Sequence, residues 1–158
     1  AKLIANDEEH DIAILKIEGQ PLPALKLAKD DFRPEGSTIA FTGFPIGAVL
    51  GLYPVTHQGI IAAVTPTIIP VNDSRQISIA MLKRLRDPYL VYQLDATAYP
   101  GNSGSAMYDV TTGEVIGIIN KVFVQQSKET VISKPSGITY AIPVKYLHKL
   151  LKQHKIKS

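Results

Sequence analysis

Residues 105–124 read SAMYDVTTGEVIGIINKVFV. A short apolar run, Ser105 to Tyr108, gives way to a turn-forming cluster, Asp109 to Gly113, and then to a longer run, Glu114 to Val124, dense in Val and Ile. β-branched side chains suit a pleated surface, while Asp and Gly suit the tight reversal between two such runs, so the stretch predicts a β-hairpin. The same grammar extends in both directions. Further strands are expected at Lys2 to Ala5, Ile12 to Ile17, Thr38 to Phe44, Val55 to Val64, Gln76 to Met81, Leu90 to Leu94 and Gly137 to Ile142. They are separated by turn chemistry at Glu18-Gly19, Pro34-Glu35-Gly36, Pro70 to Ser74, Pro100-Gly101-Asn102 and Lys134 to Gly137. Arg75 to Asp87 is ambiguous, alternating at Ile77, Ile79 and Met81 and then turning helical at Leu82 and Leu85. One helix is expected, with Pro143 in its first position and Val144, Leu147, Leu150 and Leu151 forming an apolar stripe through Lys155. The class is all-β with a C-terminal α-helix.

Composition narrows the function. At 158 residues, 45% hydrophobic and 20% charged, the chain is long enough for one real core and too apolar for disorder. The absence of cysteine removes disulfide scaffolds, thiolate nucleophiles and cysteine-ligated metals. His10, His57, His148 and His154 are scattered without metal-ligand spacing, so neither a metal nor a cofactor is expected. The net charge of +3 gathers in Lys145, Lys149, Lys152, Lys155 and Lys157, a solvated helix end rather than the basic, aromatic-laced stripe of a nucleic-acid surface. Residues 36–72 lack formal charge, but Pro45, Pro54, Pro66 and Pro70 break any membrane-spanning helix there. Residues 1–9 have neither the basic start nor the apolar run of a targeting signal.

The strongest chemical signal is Tyr99-Pro100-Gly101-Asn102-Ser103-Gly104-Ser105. Acyl transfer needs a hydroxyl exposed on a tight turn, with nearby backbone N–H groups aimed at the developing oxyanion. Glycines on both sides permit that geometry, and the N–H groups of Gly101 and Ser103 are candidate donors. By residue type alone the same heptad also suits a plain hairpin turn. A second signal is His10-Asp11-Ile12-Ala13-Ile14-Leu15, an acid at the mouth of an apolar strand. Such a carboxylate can orient an imidazole, or simply be a strand-edge turn residue.

Together these segments resemble trypsin-like, chymotrypsin-fold serine peptidases, and most closely the bacterial HtrA/Deg-like branch. Lys2 to Asp7 leading into Asp11 to Leu15 resembles the family's aspartate segment. Gly43-Phe44-Pro45-Ile46-Gly47 with Val55 to Ile61, Leu94 to Ser105, Glu114 to Ile118 and Tyr140 to Pro143 resemble the segments that follow, in order along the whole chain. The resemblance implies Ser103 as nucleophile, Asp11 as orienting acid, and an oxyanion hole at Gly101, Asn102 and Ser103. It further implies a substrate pocket lined by Thr97, Ala98, Asn120, Lys121, Val122 and Thr139, with Ile119 to Val122 pairing with substrate backbone. Uncharged Thr97 at the pocket base and Ile119 on the strand imply small or medium apolar residues before the scissile bond. Asn102 stands where animal digestive relatives have an activating aspartate, Ser105 replaces a common glycine, and none of residues 1–158 is expected to form the PDZ domain usual in HtrA proteins.

The family's general-base histidine lies well upstream of the aspartate, and only ten residues precede Asp11. His10 is expected to face solvent, because neighbouring strand residues point to opposite faces. His57 is expected to be a satisfied strand histidine, and His148 and His154 to be exposed. The implied architecture is a double β-barrel: residues 1–30 as the last strands of a partial first barrel, 31–142 as a complete second barrel, and 143–158 as helix and tail. The missing histidine half is the expected partner, beside a protein or peptide substrate, and a periplasmic or secreted location follows from the resemblance alone. Rival readings are an α/β-hydrolase using Ser103, Asp109 and His148, opposed by Ser105 at the required glycine, and a Ser103–Lys121 dyad, which no spacing supports. The main alternative is a non-catalytic pseudoprotease or peptide-binding module using the second-barrel groove.

Overall fold

The computed structural model describes residues 1–45, 51, 53–67, 88–122 and 138–156, with the backbone alone for Lys121, Val122 and Ile138. The 105–124 stretch forms its hairpin. Strand β6 (Ala106–Asp109) pairs antiparallel with β7 (Val115–Val122), placing Ala106 opposite Ile118 and Met107 opposite Gly117. Between them the Asp109 carboxylate accepts the N–H groups of Thr111 and Thr112, at 2.8 and 3.2 Å, which closes the turn. β6 begins at Ala106 rather than at Ser105, because the Ser105 N–H is already committed to the Asn102 carbonyl at 3.1 Å.

The other second-half strands are β3 (Thr38–Gly43), β4 (Val55–Pro66), β5 (Leu90–Asp95) and β8 (Ile138–Pro143). With β6 and β7 they close into an antiparallel barrel in the order β3-β4-β5-β8-β7-β6. Closure depends on β3 meeting β6, with Ile39, Ala40 and Phe41 opposite Asp109, Tyr108 and Met107. A closed barrel leaves no lateral edge and fills its lumen with alternate side chains. Here Phe41, Ile61, Tyr92, Leu94, Met107 and Ile119 are fully buried within it. Ala28 packs on the same core, and Leu27 bridges Val115, so the connection after the first sheet is laid against the barrel wall.

Strands β1 (Lys2–Asp7) and β2 (Ile12–Lys16) form a separate antiparallel pair. Ala5 and Ile12 bury against Ile142 and Leu150. Leu3, Leu15, Ile17, Leu22 and Leu25 are each more than half exposed. The helix α1 (Val144–Gln153) starts one residue later than expected. Pro143 flanks it with ψ 141°, an extended value that leaves this residue as the last of β8, opposite Gly117. Its apolar side buries Val144 and Leu150. The strand expected at Gln76 to Met81, the ambiguous Arg75 to Asp87, residues 46 and 47 of the glycine-proline loop, and the Phe123-Val124 end of the long strand lie outside the described residues.

The contrast between filled barrel and open sheet predicts unequal mutational costs. Phe41→Ala should lower the unfolding free energy of this chain by about 3–5 kcal/mol, as for large-to-small changes in closed cores. Leu15→Ala should change it by no more than about 0.5 kcal/mol. Urea denaturation of both variants measures the difference.

Candidate active site

Ser103 sits at an exposed turn between β5 and β6. Two glycines with positive φ shape that turn: Gly101 at 104° and Gly104 at 86°, values that a side chain strongly disfavours. The Asn102 N–H donates to the Tyr99 carbonyl at 3.0 Å, completing a tight reversal around Pro100-Gly101. That bond removes the Asn102 N–H from the expected oxyanion donors. The N–H groups of Gly101 and Ser103 have no acceptor among the described residues.

The turn is hung from β7 by the Gly104 N–H to the Ile119 carbonyl, at 2.7 Å, and the Ile119 N–H to the Ser105 carbonyl, at 2.9 Å. From below it is held by Asn102, which is fully buried. Asn102 lies against Gly43, where a Cβ would overlap the Asn102 side-chain oxygen and crowd the Ser105 hydroxyl. Neither side-chain polar atom of Asn102 has a hydrogen-bond partner among the described residues. The glycine-proline segment thus packs on the Ser103 turn from a distance of about sixty positions in sequence.

Asn120 is the junction of the site. Its carbonyl accepts the Ser103 hydroxyl at 2.9 Å, and its side-chain amide donates to Asp11 Oδ2 at 2.8 Å. The structure therefore brings Ser103 and Asp11 to the same residue from different sheets. The sequence placed Asn120 in the substrate pocket and missed its link to Asp11. The signal was a polar residue breaking the apolar run Val115 to Ile119.

The remaining residues expected to line a substrate pocket divide by burial. Thr139 is fully buried and its hydroxyl donates to the Ala96 carbonyl at 2.7 Å, Ala98 is buried, and Thr97 is half-buried. Lys121 and Val122 lie opposite Tyr140 and Thr139 on β8. Of the pocket side chains that are described, none carries a charge. Among the described residues, β8 flanks residues 120–122 on one side and no strand flanks them on the other.

The histidines depart from expectation. His10 does not face solvent: it is only 5% exposed, with Nδ1 2.7 Å from Asp7 Oδ2 and its ring stacked on Tyr146 at 4.1 Å. Strand alternation fails here because residues 8–11 form a turn rather than extended strand, and Asp11 has a left-handed φ of 56°. His57 stacks on Phe41, and its Nε2 is buried with no hydrogen-bond partner among the described residues, so it is not a satisfied histidine. Burial pushes its pKa down. His148 is half-buried and its Nε2 lies 2.8 Å from the Ala28 carbonyl, while His154 is exposed as expected. None of the four hydrogen-bonds to Ser103 or Asp11 among the described residues.

A closed six-stranded barrel with a glycine-flanked serine on its β5–β6 turn, an acid delivered from a second sheet, and a C-terminal helix is the architecture of the chymotrypsin-like serine peptidases. A family model for the trypsin-like peptidase domain matches residues 1–118. The chain belongs to that family, in its HtrA/Deg-like branch. It is 31% identical over 144 residues to a protein of Pseudomonas fluorescens named as a probable periplasmic DegP-like serine endoprotease, covering 91% of this chain and 25% of that one. A similarly named protein of Ectopseudomonas mendocina is 30% identical over 156 residues, covering 98% of this chain and 27% of that one. Among solved structures, the HtrA-type protease AlgW with decapeptide superposes with a TM-score of 0.71 at 28% identity, covering 98% of this chain and 40% of that one. The chain thus spans about a quarter of the length of these curated relatives.

The His57 environment carries a pH prediction. A histidine whose folded pKa is lowered binds fewer protons than it does unfolded, so the fold loses stability as pH drops through about 6.5, the ordinary value, toward the lower folded one. His57→Gln removes this contribution. Its melting temperature should fall less than that of the parent chain between pH 7.5 and 5.5, measured by thermal denaturation.

Proposed function

We propose that this chain is the nucleophile-bearing part of an HtrA-type serine endopeptidase that acts on protein or peptide substrates in the periplasm or outside the cell. The observation that carries this reading is the convergence of the Ser103 hydroxyl and the Asp11 carboxylate on Asn120. In the proposed reaction, Ser103 Oγ attacks the substrate carbonyl carbon while a general base takes its proton. The carbonyl oxygen becomes an oxyanion facing the Gly101 and Ser103 N–H groups. The proton then passes to the leaving amine as the C–N bond breaks, and water releases the acyl group by the reverse roles. Asp11 orients the base.

No histidine of the chain is placed to be that base, so we assign it to a first-barrel segment outside these 158 residues. The open face of Leu3, Leu15 and Ile17 is where that segment would pack. In this division residues 1–30 belong to the first barrel, 31–142 to the second, and 143–158 to the helix and tail. Substrate would extend the sheet at residues 120–122, which have a neighbouring strand on one side only among the described residues. No helix among the described residues is long and apolar enough to cross a membrane.

A second reading is supported by the Ser103 hydroxyl itself, which donates to a backbone carbonyl rather than to a base. On that reading the chain binds extended peptides without cleaving them. Labelling by a fluorophosphonate tests the absent base, and turnover by the longer protein separates the two readings. The isolated chain should label far more slowly than a competent serine peptidase, and labelling at a competent rate would show that a base is supplied from within it. In a longer protein carrying the histidine half, Ser103→Ala should lower kcat by at least about 10⁴-fold, and undiminished turnover would overturn the peptidase reading. With no carboxylate at Thr97 and no histidine at Ile119, cleavage of a peptide library should favour Val, Ala or Leu before the scissile bond. Dominance of Arg, Lys or Glu there would overturn the pocket assignment.

A further inference from the structure

We propose that His10 is a positioning residue for the Asp11 carboxylate, holding the turn from which the acid reaches Asn120. The proposal rests on the reading of Asp11 as the orienting acid and adds a residue to it.

Asp11 is exposed, and its backbone occupies the left-handed region at φ 56°, which Asp tolerates better than most L residues but which neighbouring contacts still help to hold. The fixing contacts are on its two neighbours. Ile12 is buried in the cluster with Ala5, Ile142 and Leu150. His10, on the other side, is buried through a different set of contacts. Its imidazole stacks on Tyr146 of α1, 4.1 Å between centroids at 23°, and lies tilted against Tyr89, 4.6 Å away at 60°. Those two tyrosines meet edge to face at 5.4 Å, and the Tyr146 hydroxyl accepts the Leu90 N–H at 3.2 Å. The His10 pocket is thus built from α1 and the start of β5, elements of the barrel half.

Asp7 closes the pocket from the hairpin's own side. Oδ1 accepts the N–H groups of Glu9 and His10, each at 3.1 Å, and Oδ2 lies 2.7 Å from His10 Nδ1. Burial pushes the Asp7 carboxyl up, but the N–H groups and the imidazole outweigh it and hold the carboxyl below its ordinary range. One carboxylate therefore fixes both the backbone of the turn and the orientation of the ring. With the ring held on the helix side, the next residue can only leave the turn in another direction, and there Asp11 Oδ2 accepts the Asn120 amide at 2.8 Å. Loss of the imidazole frees the turn where its left-handed residue needs support, and the carboxylate loses its aim.

The test reads the Asp11–Asn120 contact directly in the 158-residue chain by ¹H–¹⁵N NMR of the Asn120 side-chain amide, identified by its disappearance in Asn120→Ala. Asp11→Ala sets the chemical shift of the unbonded amide. His10→Ala is expected to move the Asn120 signal to that position while the Met107 methyl signal, deep in the barrel, stays in place. An unmoved Asn120 signal in a folded His10→Ala chain overturns the proposal. Should His10→Ala fail to fold, His10→Phe keeps the stacking and removes only the Asp7 contact. It is expected to move the Asn120 signal part of the way, and no movement overturns the proposal. In a longer, active protein, His10→Ala should lower kcat by about 10²-fold, the scale of a small misplacement, with KM unchanged. The outcomes separate cleanly: continued hydrolysis by Ser103→Ala removes the peptidase reading and leaves the NMR result standing, whereas an unmoved Asn120 amide removes the role of His10 and leaves Ser103 untouched.

Discussion

The arrangement of the site depends on a register shift in β7. Between Ile119 and Lys121 the ladder to β8 skips Asn120, which has no Cα partner there. A skipped residue leaves its strand neighbours paired while its own groups turn elsewhere. The Asn120 carbonyl therefore faces the Ser103 turn and its side-chain amide faces the first sheet, and the two bonds at 2.9 and 2.8 Å run to Ser103 and Asp11. A hydrogen bond to a charged carboxylate contributes roughly 1.5–3 kcal/mol, more than a neutral one. Without the shift, the same residue would be committed to the ladder and the two sheets would lack this link.

The Ser103 turn is gripped from opposite sides by unlike means. Ile119 and Gly104 supply ladder-like hydrogen bonds above, and Gly43 supplies close packing against Asn102 below. The packed side holds a polar amide with no partner among the described residues, which costs roughly 1–3 kcal/mol per unsatisfied group. A turn-forming Asn at this position trades that cost for a compact reversal, and the trade fixes the backbone on which the Gly101 and Ser103 N–H groups are carried.

Much of this was legible in the sequence because it is local. Period-two alternation and turn residues located the described strands to within a residue or two, and the glycines around Ser103 announced an unusual backbone. The position of Asp11 at the mouth of β2 was legible because an acid opening an apolar strand is a local pattern too. Contacts between distant segments were not. The Asp11–Asn120 bond joins residues 109 positions apart, and nothing in Val115 to Val122 says which residue the ladder will skip. His10 was misread for a related reason. Alternation applies only to extended backbone, and a left-handed Asp11 ends it, so the imidazole is turned toward tyrosines from beyond residue 88. His57 was misread because strand membership satisfies a backbone, not a ring nitrogen.

The first sheet poses the sharper physical question. A two-stranded antiparallel pair is marginal in water by itself, and this one leaves Leu3 and Leu15, directly opposite each other, on an open face. Apolar burial of Ala5 and Ile12 against Ile142 and Leu150 attaches it to the barrel but is non-directional, and tolerates sliding and rotation. Aiming a carboxylate needs directional contacts. The ring stack at Tyr146, the Asp7 bonds within the hairpin and the Asn120 amide supply direction along different axes. The helix is central to that arrangement, because Leu150 and Tyr146 lie one turn apart on it, so the same element provides both the apolar seat and the aromatic wall. Following β8, the helix reaches the first sheet from the barrel, and a sheet that is weak alone gains from it contacts that resist both sliding and rotation.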